Sequence, residues 1–228
     1  MSVITVFSGT FCNEASIFKS LQEHLGYRFV NDTDLIESAS RQSGLAKDRI
    51  GRAFSARASV FNKFTHERER SIAYLRLALA QVFIEDQLLV NGFASQLVSP
   101  DINHVLRVCL IADTKSRSAA AAAELKVSPQ ESLKLIRKHD EDRAHWMNTL
   151  FNAEDPWAAD LYDMVLPTDK MDVEEITTRI VGKRFEKVEK HLGWHISNLF
   201  PPEISVPDKP GPTAEVNGNL CETIIHRQ

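Results

Sequence analysis

Five short apolar runs recur along the chain, at residues 3–7, 27–30, 87–91, 105–112 and 162–167, and the intervals between them contain stretches with apolar residues at helical spacing. This alternation constrains the fold more than any other feature. A short run that is apolar on both faces needs cover on both sides, and a helix between successive strands supplies it. The expected architecture is an α/β fold, a mostly parallel sheet of about five strands with helices on both faces. In the first interval Ile17, Phe18, Leu21 and Leu25 form one helical face that Gly26 ends, and a second helix over residues 32–43 is closed by Gly44. Residues 49–86 read as mostly helical, with Ile72, Leu75, Leu79, Val82 and Phe83 as a buried stripe. An alanine-rich helix over 114–126 follows, then one that starts at Pro129 and runs toward Arg143, and a last amphipathic helix over 173–191.

With 228 residues, 43% of them hydrophobic and 25% charged, the chain can bury one substantial core and carry appendages. Beyond Leu199 the composition changes. Five of the nine prolines fall between Pro201 and Pro212, so residues 200–228 read as a proline-rich linker or tail behind a domain of residues 1–199. Within the tail, residues 220–225 are apolar enough for a short strand behind an Asn217-Gly218 turn. That strand would begin a further module, or serve as an arm for a protein partner or for the second subunit of a homodimer. No segment is long and apolar enough to span a bilayer and the N-terminus lacks the order of a secretory signal, so the expected location is cytoplasmic. Cys12, Cys109 and Cys221 form neither a disulfide framework nor a Cys-x-x-Cys metal pair. Cys12 is either a thiol activated by a helix N-terminus or a small loop residue. His191 and His195, four apart, are half a metal site at most without a third ligand, so no metal is assigned.

Charge is distributed unevenly. Between Arg41 and Arg76 nine Lys or Arg stand against three acidic residues, a net of +6 in a chain whose total is −4. The region is either a solvated helical face or an approach for a phosphate-bearing small molecule or acidic partner. Nucleic acid is the weaker option, because no aromatic platform or reading module accompanies the charge.

The first strand leads into Ser8, Gly9, Thr10, Phe11, Cys12, Asn13, Glu14, Ala15 and Ser16, and then into a helix. A phosphate-binding loop of the form Gly-x-x-x-x-Gly-Lys-Ser/Thr uses glycines so that backbone N–H groups close around the anion, and a lysine to meet its charge. Counted from Gly9, the second glycine falls on Glu14, the lysine on Ala15 and the hydroxyl on Ser16. A carboxylate about 5 Å from a phosphate, at an effective dielectric near 20, opposes it by roughly 3 kcal/mol per unit charge. Read locally, the same residues make a helix start, with Asn13 as a cap accepting a first-turn N–H and Glu14 set against the helix dipole.

Three phrases, taken in order with these elements, resemble the cytidylate-kinase-like family of P-loop nucleoside monophosphate kinases over about residues 4–185. They are Leu25-Gly26-Tyr27 followed by Asn31-Asp32-Thr33-Asp34-Leu35-Ile36; Arg107-Val108-Cys109-Leu110-Ile111-Ala112 leading to Arg117; and Ile136-Arg137-Lys138-His139-Asp140-Glu141-Asp142-Arg143 leading to Trp146. Tyr162-Asp163-Met164-Val165 and Thr168 close the series. The resemblance implies a helical acceptor region over about 32–86, where Asp32 and Asp34 meet the acceptor nucleotide, and a lid over about 114–150. Arg117, Lys138 and Arg143 would belong to that lid, with Asp140 orienting an arginine, and Gly9, Asn13 and Ser16 would stand at the nucleotide phosphates. If the chain is active, it implies ATP and Mg²⁺ as donor and cofactor, with phosphoryl transfer to CMP or dCMP helped by surrounding cations.

Departures from the pattern bear on activity. The family's basic, glycine-rich loop is absent, and the third strand ends in Asn91-Gly92-Phe93 where the family has Gly-Arg. Losing one well-placed electrostatic group typically costs about 3 kcal/mol of barrier. Three functions remain in view: a degenerate member that serves as a nucleotide-sensing or regulatory binding module, an active cytidylate kinase with a rearranged loop, and, least specifically, a structural scaffold.

Overall fold

The computed structural model describes residues 3–56, 66–99, 101, 102 and 104–199, with side chains described as far as residue 187. By compactness the chain divides into Met1–His191 and Leu192–Gln228. The tail with its 220–225 strand, and the side chains of His191 and His195, lie outside the described residues.

Five parallel strands form one sheet in the order β2-β3-β1-β4-β5, the architecture that the apolar runs imply. They are β1 (Val3–Ser8), β2 (Arg28–Val30), β3 (Leu88–Asn91), β4 (Val105–Ile111) and β5 (Met164–Pro167). The described helices are α1 (Glu14–Leu25), α2 (Asp32–Ser43), α3 (Lys47–Gly51), α4 (Glu67–Val82), α5 (Thr114–Leu125), α6 (Pro129–Phe151) and α7 (Val173–Leu199), with short 3₁₀ turns at Arg52–Phe54, Phe93–Leu97 and Ala159–Leu161.

Central β1 is buried along its whole length, and its side chains alternate between two cores. Val3 and Phe7 join Leu35, Leu75, Leu79 and Trp146 on the face covered by α2, α4 and α6, whereas Ile4 and Val6 join Ile17, Leu21, Ile176 and Ile180 beneath α1 and α7. The chain winds from β1 to one side, through β2 and β3, and then to the other, through β4 and β5. The loop after β1 therefore opens at the C-terminal edge of the sheet where the winding direction reverses, the place where open α/β sheets hold ligands.

Several boundaries differ from the sequence expectation, most by one residue and the last helix by running on to Leu199. Strand β2 starts at Arg28, and β5 starts at Met164, with the preceding Tyr162 turned to donate its buried hydroxyl to the Pro156 carbonyl at 2.6 Å. Helix α6 does not stop near Arg143 but runs to Phe151, since Trp146, Met147 and Leu150 extend its apolar stripe. It ends where Asn152 turns left-handed and donates its N–H to Asn148. Among the described residues no helix is long and apolar enough to cross a membrane.

The Thr5 hydroxyl is enclosed in the middle of β1 and has no hydrogen-bond partner among the described residues. Thr5→Val keeps the β-branched shape and removes a desolvated hydroxyl, so it should raise stability by about 1 kcal/mol. A higher urea midpoint with an unchanged m-value checks this.

Candidate functional site

The loop from Gly9 to Asn13 keeps a tight turn without the glycines that would make it cheap. Phe11 and Asn13 both adopt left-handed backbone, with φ of 63° and 56°. For a bulky residue such as phenylalanine this conformation costs about 1–2 kcal/mol, so the surrounding fold imposes the shape. Asn13 does not act as the expected side-chain cap, because in that conformation it makes no capping bond. Glu14 takes a different role from the one expected of a first-turn acid alone. Its carboxylate turns back and accepts the Cys12 N–H at 3.0 Å, so the loop's own anion takes a donor of the kind that a phosphate would use. Cys12 is buried, and burial pushes its thiol up to about 11, which overturns the activated-thiol option.

Two arginines from distant sequence reach this loop. Arg117 on α5 donates Nε to the Thr10 carbonyl at 2.8 Å, and its two terminal nitrogens grip the Asp140 carboxylate at 2.9 and 2.7 Å. Burial draws the Arg117 pKa down, yet the Asp140 bonds and charge outweigh it and the net shift is upward. Glycine at position 9 makes this approach possible, since a Cβ there would lie 2.9 Å from Cys12 Sγ and 3.3 Å from Arg117 Cζ. Arg143 on α6 donates Nε to the Ser8 carbonyl at 2.6 Å and a terminal nitrogen to the His139 carbonyl at 3.0 Å. Its guanidinium stands 5.2 Å over the Phe93 ring, and burial lowers its pKa. His139 Nδ1 lies 3.1 Å from Thr10 Oγ1, and Asp142 accepts the Ala56 N–H at 2.7 Å. Helices α5 and α6, the expected lid, are thus tied to the loop, and α6 also to the acceptor region, by hydrogen bonds between protein groups.

The acidic pair at the end of β2 divides its roles. Asp32 reaches across to the turn after β3 and accepts the Phe93 and Ala94 N–H groups at 2.9 and 2.8 Å. Burial pushes its carboxyl up to about 6, against the pull of those two bonds and of Arg143. Gly92, at φ 104°, must stay glycine because a Cβ would sit 2.3 Å from Asp32 Oδ2. Asp34 instead closes the capping box of α2, where Asn31 donates its N–H to the Asp34 carboxylate at 2.9 Å. Lys138 is exposed, and Ser16 is exposed at the loop.

Two cavities meet at Thr10. One of about 380 Å³ lies among Thr10, Phe54, Phe93, His139, Asp142 and Arg143. The other, of about 620 Å³, runs along the loop from Thr10 to Ser16 and is bounded by α5 and the turn after β5. Phe54 and Phe93 stack at 5.1 Å, and Trp146 closes on Phe54 edge-on at 4.9 Å. Sequence reasoning gave His139 no role and did not single out Phe54. Neither carries a local signal, since His139 meets Thr10 across 129 positions. In the basic region Lys47 pairs with Glu37 at 2.7 Å and Arg68 donates to the Ala53 carbonyl at 2.9 Å, so part of its charge serves local structure. Arg57 and Lys63 lie outside the described residues.

Asp140→Ala should leave the buried Arg117 cation without its partner and cost about 3 kcal/mol, while Arg117→Met with Asp140→Leu should recover most of that loss. Urea denaturation of the single and double variants checks the pair. Asp32 gives a pH test. Its folded pKa of about 6 lies above the ordinary 3.8, so the folded state binds more protons between these values. Its contribution to stability is therefore complete below about pH 4 and is lost as pH rises through about 6. Asp32→Asn should remove that decline, as read from midpoints measured on both sides of the window.

The family described as cytidylate kinase-like matches residues 3–170. No curated protein matches the chain. A crystal structure of an uncharacterised protein from Eubacterium ventriosum is 16% identical, with a TM-score of 0.60 over 81% of this chain and 98% of that one. Shikimate kinase from Bacteroides thetaiotaomicron is 11% identical with a TM-score of 0.46 over 78% and 96%. The YorR protein of Bacillus subtilis, solved with phosphorylated GDP, is 12% identical with a TM-score of 0.48 over 83% and 98%. The match spans the sheet, the loop and both arginine-bearing helices, and the chain belongs to the cytidylate kinase-like family.

Proposed function

We propose that this domain is a degenerate kinase-like module that binds a nucleotide without transferring phosphate to it, and that it acts in sensing or regulation. One observation carries the reading: the groups that would receive a donor phosphate are already taken by the protein's own carboxylates. Glu14 accepts the Cys12 N–H, and Asp140 holds both terminal nitrogens of Arg117, whose Nε is bound to the Thr10 carbonyl. Ala15 stands where a lysine would meet the charge.

The residues present do not fit ATP with Mg²⁺. Ser16 offers the hydroxyl that such an ion takes, yet Asp32 spends its carboxylate on two backbone N–H groups. Among the described residues no three His, Cys, Asp or Glu side chains are grouped for a metal. A magnesium ion in a kinase leans on substrate phosphates for its ligands, and a loop with an anion of its own repels those phosphates.

The nucleotide itself would enter the 380 Å³ cavity. Phe54 and Phe93 offer a flat apolar wall there, and Arg143 offers one terminal nitrogen with no hydrogen-bond partner among the described residues. That nitrogen also favours a second reading, an active kinase acting on CMP or dCMP, in which Arg143 meets the transferring group. The basic surface around Arg49 and Arg52 would steer an anionic ligand toward either form of the site. The 200–228 tail is proposed as the contact for a protein partner.

Phosphate transfer from ATP to CMP separates the readings. The unmodified chain should show no turnover near the ordinary enzymatic range of about 1 to 1000 per second. Asn13→Gly, Glu14→Gly and Ala15→Lys combined should create ATP binding that calorimetry detects. Turnover in the ordinary range by the unmodified chain sinks the degenerate reading and installs the active one.

A further inference from the structure

The larger cavity has a lining at odds with a polyphosphate. Its volume of about 620 Å³ falls in the range that takes a molecule the size of a nucleoside. Three carboxylates, Glu14, Glu124 and Asp169, border it, and among the described residues that line it there is no lysine or arginine. Glu14 is kept at the loop by its bond to the Cys12 N–H. A triphosphate entering here would place several negative charges among three more, with no cation in the lining and the nearby Arg117 already held by Asp140.

Other parts of the lining suit a different molecule. Ala112 and Ala120 are small enough to leave room for a flat ring, and Phe11, held at φ 63°, borders the same space. The Ser116 and Thr168 hydroxyls also line it. Carboxylates are good acceptors for the hydroxyls of a ribose, the same chemistry by which an acidic residue holds a ribose hydroxyl in dinucleotide sites.

We propose that this cavity binds an uncharged nucleoside in place of a nucleoside triphosphate, with the ribose hydroxyls donating to its carboxylates and the base lying on the alanine and phenylalanine wall. The proposal rests on the reading that the domain uses no phosphate donor. It inverts the ligand preference of a kinase donor site: each added phosphate weakens binding.

Titration calorimetry on the full chain, with adenosine, cytidine, guanosine and uridine each compared with its own triphosphate, reads that order. At least one nucleoside should bind about tenfold or more tightly than its triphosphate. Glu14→Gln with Asp169→Asn should narrow that ratio. Ala120 is an exposed position on α5, so Ala120→Trp fills the cavity from a tolerant site and should abolish nucleoside binding while circular dichroism stays unchanged. Equal or tighter binding of the triphosphate that Ala120→Trp abolishes, nucleoside binding that survives Ala120→Trp in a folded chain, binding of spermidine but of no nucleoside, or no binding at all would each overturn the proposal, whereas triphosphate binding that survives Ala120→Trp belongs to the smaller cavity and leaves the larger one selective for the nucleoside. Phosphate transfer to CMP is scored separately. Turnover defeats the degenerate reading whatever the nucleosides do, and an inactive chain that binds no nucleoside defeats this proposal alone.

Discussion

A guanidinium withdrawn from water must be met by acceptors on every side, and Arg117 satisfies that demand by joining three parts of the chain that are far apart in sequence. It binds the Thr10 carbonyl on the loop after β1 and grips Asp140 on α6 from its own place on α5. Its side chain is only 7% exposed, so each bond is made where water competes poorly. Gly9 leaves the space and Asp140 supplies the charge. Arg143 and His139 extend the same tie, one to the Ser8 carbonyl and the other to Thr10. The loop's shape, the seating of both helices and the separation of the two cavities all follow from this knot.

That knot also explains how the loop can hold a tight turn without the glycines and lysine of the phosphate-binding pattern. A glycine-rich phosphate loop takes its tight turn without steric cost and presents backbone N–H groups to its anion. Here Phe11 and Asn13 hold left-handed backbone at a cost, and Glu14 fills the role of an internal anion toward the Cys12 N–H. Strain of this kind persists only where the surroundings determine it. Donors of the kind a phosphate would use are here met by the protein's own acceptors, Glu14 for the Cys12 N–H and Asp140 for the Arg117 guanidinium.

The chain announces its sheet because hydrophobic periodicity is local. Runs such as 3–7 and 105–112 are apolar on both faces, and each must be covered on both, which selects a parallel sheet between helices. The helix ends were equally legible at Gly26 and Gly44, where both glycines take the left-handed cap. Less legible were Tyr162, which stands before β5 with its hydroxyl bonded to Pro156, and the last two turns of α6, which depend on burying Trp146 and Met147 against the sheet. The fate of the loop was half visible. The absence of a lysine and the presence of Glu14 could be read directly, whereas the inward turn of Glu14 toward Cys12 depends on a backbone bend that composition does not encode.

By itself the sequence determined the layer order, the two-faced core and the loss of the phosphate cradle, because all three depend on which residue type stands at neighbouring positions. Only the tertiary structure decided what replaces the cradle. Arg143 meets Ser8 across 135 positions, Arg117 meets Thr10 across 107, and Asp32 meets Phe93 across 61. Carboxylates and guanidinium groups look alike in sequence whether solvated or buried, and their partners are set by where the strands and helices bring them to rest. Burial then makes each partner obligatory, because an unpaired charge inside the fold costs more than any local preference of the chain can supply.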